Sequence, residues 1–150
     1  MKQMKQRALF MAGLLAAALV FGTIFVGCGD GGDGGDGFSG HTLTVTGIPA
    51  AYNGKYIAAF YFDNSNTIIG AASINGDNSA NLVKIAGGSA VIPIYHFDAA
   101  DSSFKPYTGT DSETFTLNIY ASSSVLITDT PAASNDVSVD FATGSPSVTW

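Results

Sequence analysis

Thr42-Leu43-Thr44-Val45-Thr46 sets polar and apolar residues in strict alternation. In an extended chain successive side chains point to opposite faces, so Leu43 and Val45 face inward and the threonines outward. That pattern predicts a half-buried β-strand, and the chain beyond it reads the same way. Tyr56 to Phe62 is apolar on both faces, as a central strand is. Thr67 to Ile74 and Ala80 to Ile85 are weaker strands, parted by the turn Asn75-Gly76-Asp77-Asn78. Ala90 to Phe97 is a strong strand, although Pro93 lacks a ladder donor and points to a sheet edge or a bulge. Thr114 to Tyr120 places Phe115, Leu117 and Ile119 on one face; Val125 to Thr128 is short. Val137, Val139 and Phe141 alternate with Asp136, Ser138 and Asp140, and Ser147 to Trp150 makes a last strand.

Turn residues punctuate these segments. Asn53-Gly54 is a strong turn dipeptide, and Asp63-Asn64-Ser65-Asn66, Gly87-Gly88 and Gly109 mark others. No stretch after Cys28 carries sustained helical periodicity. The expected fold is therefore all-β: a two-sheet antiparallel β-sandwich, Ig-like or transthyretin-like, of eight or nine short strands over residues 41–150.

The first 27 residues belong to a different device, a signal helix. Lys2, Lys5 and Arg7 form a positive start, and Ala8 to Val26 is uncharged and almost wholly apolar. Such a run suits a secretory signal, a membrane-spanning helix or a lipoprotein signal. Phe25-Val26-Gly27-Cys28 decides among them, because a small residue precedes the chain's only cysteine just where the apolar run stops. The segment is similar to the lipobox of bacterial lipoproteins, with Phe25 where leucine is usual. The implied product is cut before Cys28, and the Cys28 thiol, a soft nucleophile, carries diacylglycerol. Each buried acyl methylene contributes about 0.8 kcal/mol, so two or more chains anchor firmly. With no second cysteine, the domain is expected to stand on its core without an internal disulfide.

Removing the signal also shifts the charge. Lys55, Lys84 and Lys105 alone remain against all 12 acids, so the chain from Cys28 onward is strongly acidic. That balance argues against nucleic acid and against adsorption to anionic lipid. Its simplest role is solubility. At a length suited to one domain, the chain is expected to bury roughly two-thirds of its unfolded surface.

Between anchor and domain, Cys28 to Gly40 reads as a Gly/Asp-rich tether in which only Phe38 is bulky. Gly31 to Ser39 matches one copy of a calcium-binding nonapeptide. Such sites share each ion between stacked repeats, so a plain linker is the expectation.

Several segments together resemble small spirochaete lipoproteins, treponemal ones especially. They are Thr44-Val45-Thr46-Gly47-Ile48-Pro49, Tyr52-Asn53-Gly54-Lys55-Tyr56, Val91-Ile92-Pro93-Ile94-Tyr95, Tyr107-Thr108-Gly109-Thr110 and Val148-Thr149-Trp150. The resemblance implies an exported β-rich domain and carries over no catalytic residue.

Chemistry-bearing residues are few. His96 and Asp98, two apart on a strand, share a face and suit two metal ligands or a base with its orienting acid. His41 shows no connection to them in sequence, and surface polarity is the expected role of the pair. Gly88-Ser89-Ala90 lacks the second glycine of a nucleophile elbow. No pair of carboxylates stands out for glycosidic chemistry. Transmembrane barrel strands run to about 9–11 residues, longer than most segments here. No catalytic, cofactor-binding or metal-binding residue is expected, and Cys28 is the one assigned site. Tyr52, Tyr56, Tyr61, Tyr95, Tyr107 and Tyr120 offer rings for stacking on sugars or on protein, but most are expected to lie half-buried at strand ends with the hydroxyl in water. The expected function is a non-catalytic envelope or surface domain, held to the outer membrane or cell surface by lipid and open to a protein or glycan ligand. The alternative is a carbohydrate-binding module or surface adhesin using exposed tyrosines.

Overall fold

The computed structural model describes residues 38–63 and 66–150. The signal segment 1–27, Cys28, the tether as far as Gly37 and the Asn64-Ser65 turn lie outside the described residues. Those that are described build an all-β domain of twelve strands in two sheets. The strands are β1 (Thr42–Thr46), β2 (Tyr56–Phe62), β3 (Thr67–Gly70), β4 (Ser73–Ile74), β5 (Ser79–Asn81) and β6 (Val83–Lys84). They continue with β7 (Ala90–Asp98), β8 (Ser103–Pro106), β9 (Ser112–Tyr120), β10 (Ser124–Leu126), β11 (Ala133–Asp140) and β12 (Ser147–Thr149). One 3-10 turn, Ala50–Tyr52, separates β1 from β2.

The larger sheet runs β11-β9-β2-β3-β7-β1-β12, with β6 beside the start of β2 and β8 beside the end of β7. Its inner face carries one core: Leu43 and Val45 of β1, Ile57 of β2, Ile92 and Ile94 of β7, Phe115 and Leu117 of β9, Val137 and Val139 of β11. Residues from near both ends of the strand order meet in that cluster, so the sheet curls around its own inner face. The smaller sheet, β10-β5-β4, covers part of the outer face. A second core lies beneath it, with Ala58 and Phe60 of β2, Ile69 of β3, Ala80 of β5, Tyr120 of β9 and Val125 of β10. The two apolar faces expected of β2 thus serve two different cores.

Twelve strands arise where eight or nine were expected, because two of the expected segments each change sheets midway and one further strand forms after β7. The segment Thr67 to Ile74 breaks after Gly70: β3 joins the large sheet and β4 the small one, while the Ala72 amide donates to the Asn81 carbonyl at 2.7 Å. The segment Ala80 to Ile85 breaks at Leu82, whose amide turns to the Ser123 carbonyl at 2.7 Å. The Asp101-Ser102 turn, with Ser102 at φ 55°, starts the unforeseen β8. One pairing departs from the antiparallel expectation: β12 runs parallel to β1, Thr44 opposite Ser147 and Thr46 opposite Thr149.

Pro93 also lies elsewhere than expected, inside a central strand and opposite Thr42. Its carbonyl accepts from the Ala71 amide at 3.0 Å, so its peptide edge faces the seam where β3 has just ended. The missing N–H falls in that gap and breaks no rung of the ladder. Between β6 and β7, Gly87 and Gly88 take φ values of 58° and 72°, the left-handed pair that a tight hairpin turn requires.

Gly70 shows how tightly the sheet is packed. It pairs with Ala59 on one side and Ile94 on the other. A Cβ there would stand 2.8 Å from Ile92 Cγ2 and Ile94 Cδ1 and 3.0 Å from Ala59 Cβ. Overpacking of a core site costs about 1–3 kcal/mol. Gly70→Ala should lower the urea midpoint accordingly with the m-value unchanged; an undiminished midpoint would show that the sheet tolerates the added carbon.

Candidate functional site

Polar side chains gather at one end of the curled sheet, where its inner face runs out into solvent. Ile94 and His96 follow each other on the inner side of β7. Tyr107, just past β8, brings its ring to the same end, and its amide donates to the Ile94 carbonyl at 2.8 Å. His41, just ahead of β1, accepts from the Ile94 amide at 3.0 Å through its carbonyl. Phe141, after β11, completes the wall. Its ring stacks on His41 at 5.6 Å and meets Tyr107 edge-on at 5.2 Å and Phe115 at 5.8 Å.

Sequence separation concealed one relation here. The two histidines flank a single tyrosine: His41 lies 6.1 Å and His96 6.2 Å from the Tyr107 ring, both edge-on. His41 Nε2 is enclosed and has no hydrogen-bond partner among the described residues. Tyr107 is buried, and its ring folds over the backbone at Gly109, where a Cβ would overlap its hydroxyl. That close approach is why the Tyr-Thr-Gly segment carries a glycine. Burial, followed by the charges of Asp111 and Glu113, raises the Tyr107 phenol above its ordinary pKa. Tyr61, 5.8 Å from Phe115, is raised by desolvation and by the carboxylates of Glu113 and Asp63. Glu113 therefore acts on both phenols in the same direction, secondary in each case to burial. A shallow hollow of about 250 Å³ borders Glu113 where β9 begins and β11 ends, between Ser112 and Asp140.

His96 and Asp98 do not form the working pair that their spacing offered. Asp98 accepts from the Ala100 amide at 2.9 Å and from Lys105 Nζ at 2.7 Å. Lys105 is opposite His96 across the β7–β8 ladder and also reaches Asp101 at 2.7 Å. No group of three or more His, Cys, Asp or Glu side chains suited to holding a metal ion occurs among the described residues.

Most of the six tyrosines are half-buried, as expected. Tyr107 and Tyr120 are buried, and Tyr52, Tyr56, Tyr61 and Tyr95 are half-buried. Exposed apolar area is supplied instead by Phe38, Phe62, Val91 and Leu126. Of these, Phe62 was read only as part of a central strand. Its position at the end of β2, beside a polar turn, was the available signal. No family model, no curated protein and no solved structure matches this chain.

The Asp98–Lys105–Asp101 group titrates in a defined sense. Hydrogen bonds from Lys105 are the first cause holding both carboxyls below the ordinary value of 3.8, and those same bonds raise the Lys105 ammonium. The carboxylates' contribution is present above the ordinary carboxylate range and is lost as pH falls through their lowered values. The Lys105 share is present below the ordinary lysine range and lost as pH rises through its raised value. In Lys105→Met, carbon-detected NMR titration should move both carboxyls upward. Unmoved titrations would mean that the Ala100 and Ser103 bonds alone hold them low.

Proposed function

We propose that this chain is an exported lipoprotein, held to the bacterial envelope by lipid on Cys28, whose β domain binds or organises other molecules without catalysing a reaction. The observation that carries the reading is the small residue before a sole cysteine at the end of a charged-then-apolar leader. The Gly/Asp-rich stretch after it separates anchor from domain. The likeness to spirochaete lipoproteins points the same way and leads to an outer-membrane or cell-surface location. Within the domain, the charged groups nearest the two histidines are engaged in turns and ion pairs, with Asp98 and Asp101 both bound by Lys105. That arrangement suits a scaffold whose surface does the work. The chain's acidity, with three lysines after Cys28, turns the reading away from nucleic acid partners.

A Cys28→Ala substitution should release the protein from the membrane fraction and from the detergent phase on phase separation. Fatty-acid labelling of the wild type should vanish with it. A variant that stays in the membrane would show that the apolar segment itself is the anchor. Protease treatment of intact and permeabilised cells then separates surface display from a periplasmic location.

A further inference from the structure

The outer face of the large sheet is covered only in part by the small one. Phe60 and Ile69 lie beneath that cover, and the apolar surface continues beyond it. Strand registers set out the next rung. Phe62 is opposite Thr67, and Phe97 is opposite Phe104 with ring centroids 5.4 Å apart. One rung back, Ile69 is opposite Tyr95, which is opposite Pro106. Phe62 stacks on Phe60 at 5.9 Å, nearly parallel at 7°, yet remains 55% exposed. The result is a strip of rings across β2, β7 and β8 that carries no charged side chain on these rungs.

Phe38 extends the strip from the tether side. Its ring lies 5.1 Å from Tyr95 and is still 39% exposed. Gly40 makes room for it, since a Cβ there would stand 2.8 Å from both the Phe38 ring and Pro106 Cβ. Phe38 therefore lies against the half-buried aromatic rungs at the start of the domain. Nine residues lie between Cys28 and Phe38, ten steps along the chain. At most ~3.3–3.6 Å per residue, they span no more than about 35 Å.

We propose that this strip, Phe38, Tyr95, Phe97, Phe104 and Phe62, seats the domain in the headgroup zone of a phospholipid bilayer. The proposal rests on the lipid anchor at Cys28 and adds an orientation to it. Rings of this type, apolar over most of their surface, favour the boundary between headgroups and acyl chains. The chain's length keeps the strip within one bilayer thickness of any lipid on Cys28. Asp63, next to Phe62, and the β7–β8 turn, where Asp98 and Asp101 share the single ammonium of Lys105, leave the border of the strip net negative, so the fitting surface is zwitterionic rather than anionic.

Tryptophan quenching by brominated lipid tests the placement. The lipidated protein is reconstituted on vesicles of phosphatidylcholine with brominated or ordinary acyl chains. Its single native tryptophan, Trp150, packs at the far end of β1, against Tyr52 and the inner core, and serves as the reference. Phe62→Trp and, separately, Phe38→Trp each add a reporter on the strip. The added emission should fall by roughly half on brominated lipid, since a ring in this zone sits about 5–10 Å deep. Trp150 emission should be the same on both vesicles. Flotation without quenching of either reporter overturns the docking and leaves the anchor intact. Failure of the wild type to float overturns the anchor, and the docking with it. A dimer in solution formed through Phe62, with no quenching, also overturns the docking and assigns the strip to a second copy.

Discussion

Ile94 gives its amide to the His41 carbonyl and receives the Tyr107 amide on its own carbonyl. Through one residue, β1 and β8 are laid end to end along the same edge of β7. The far edge of β7 is shared in the same way, by β3 and then by the seam that Pro93 faces. Everything at the polar end of the sheet follows from this double junction. It places Tyr107 beside both histidines, brings Phe38 over Tyr95, and sets Lys105 opposite His96. A buried backbone group without a partner is costly, and here two peptide groups of one residue satisfy two different strands.

Curling lets a single sheet bury most of its inner face without an equal second layer. The small sheet then has a limited task, to cover Phe60, Ile69 and their neighbours. Small side chains permit both arrangements: Ala59 and Gly70 where the inner face is tight, Ala58 and Ala80 where the second sheet presses close. The acidic surface contributes little to this packing. The ion pairs of Lys105 with Asp98 and Asp101 tie the β7–β8 turn together.

Much of this was legible in the sequence, for a local reason. Alternation with period two is written in neighbouring residues, so β1, β2, β7 and β9 could be placed, and the inward set Phe115, Leu117, Ile119 is buried as read. What was not legible depends on distant partners. The breaks at Ala71 and Leu82 occur because neighbouring residues pair with different sheets, and nothing in either segment's composition marks the exchange. Pro93 reads as an edge signal because its missing donor is local, while the seam that excuses it is made by β3. The contact of His41 and His96 with one tyrosine is likewise a product of topology.

The parallel pairing of β12 with β1 has a temporal consequence. Thr42 and Ser145 are joined by a hydrogen bond although 103 positions separate them. Such a contact cannot form while the chain is still being made, and closing so long a loop is entropically slow. The parallel rung therefore closes only after Ser147 to Thr149 have been made, and until then one edge of β1 stands without its neighbour.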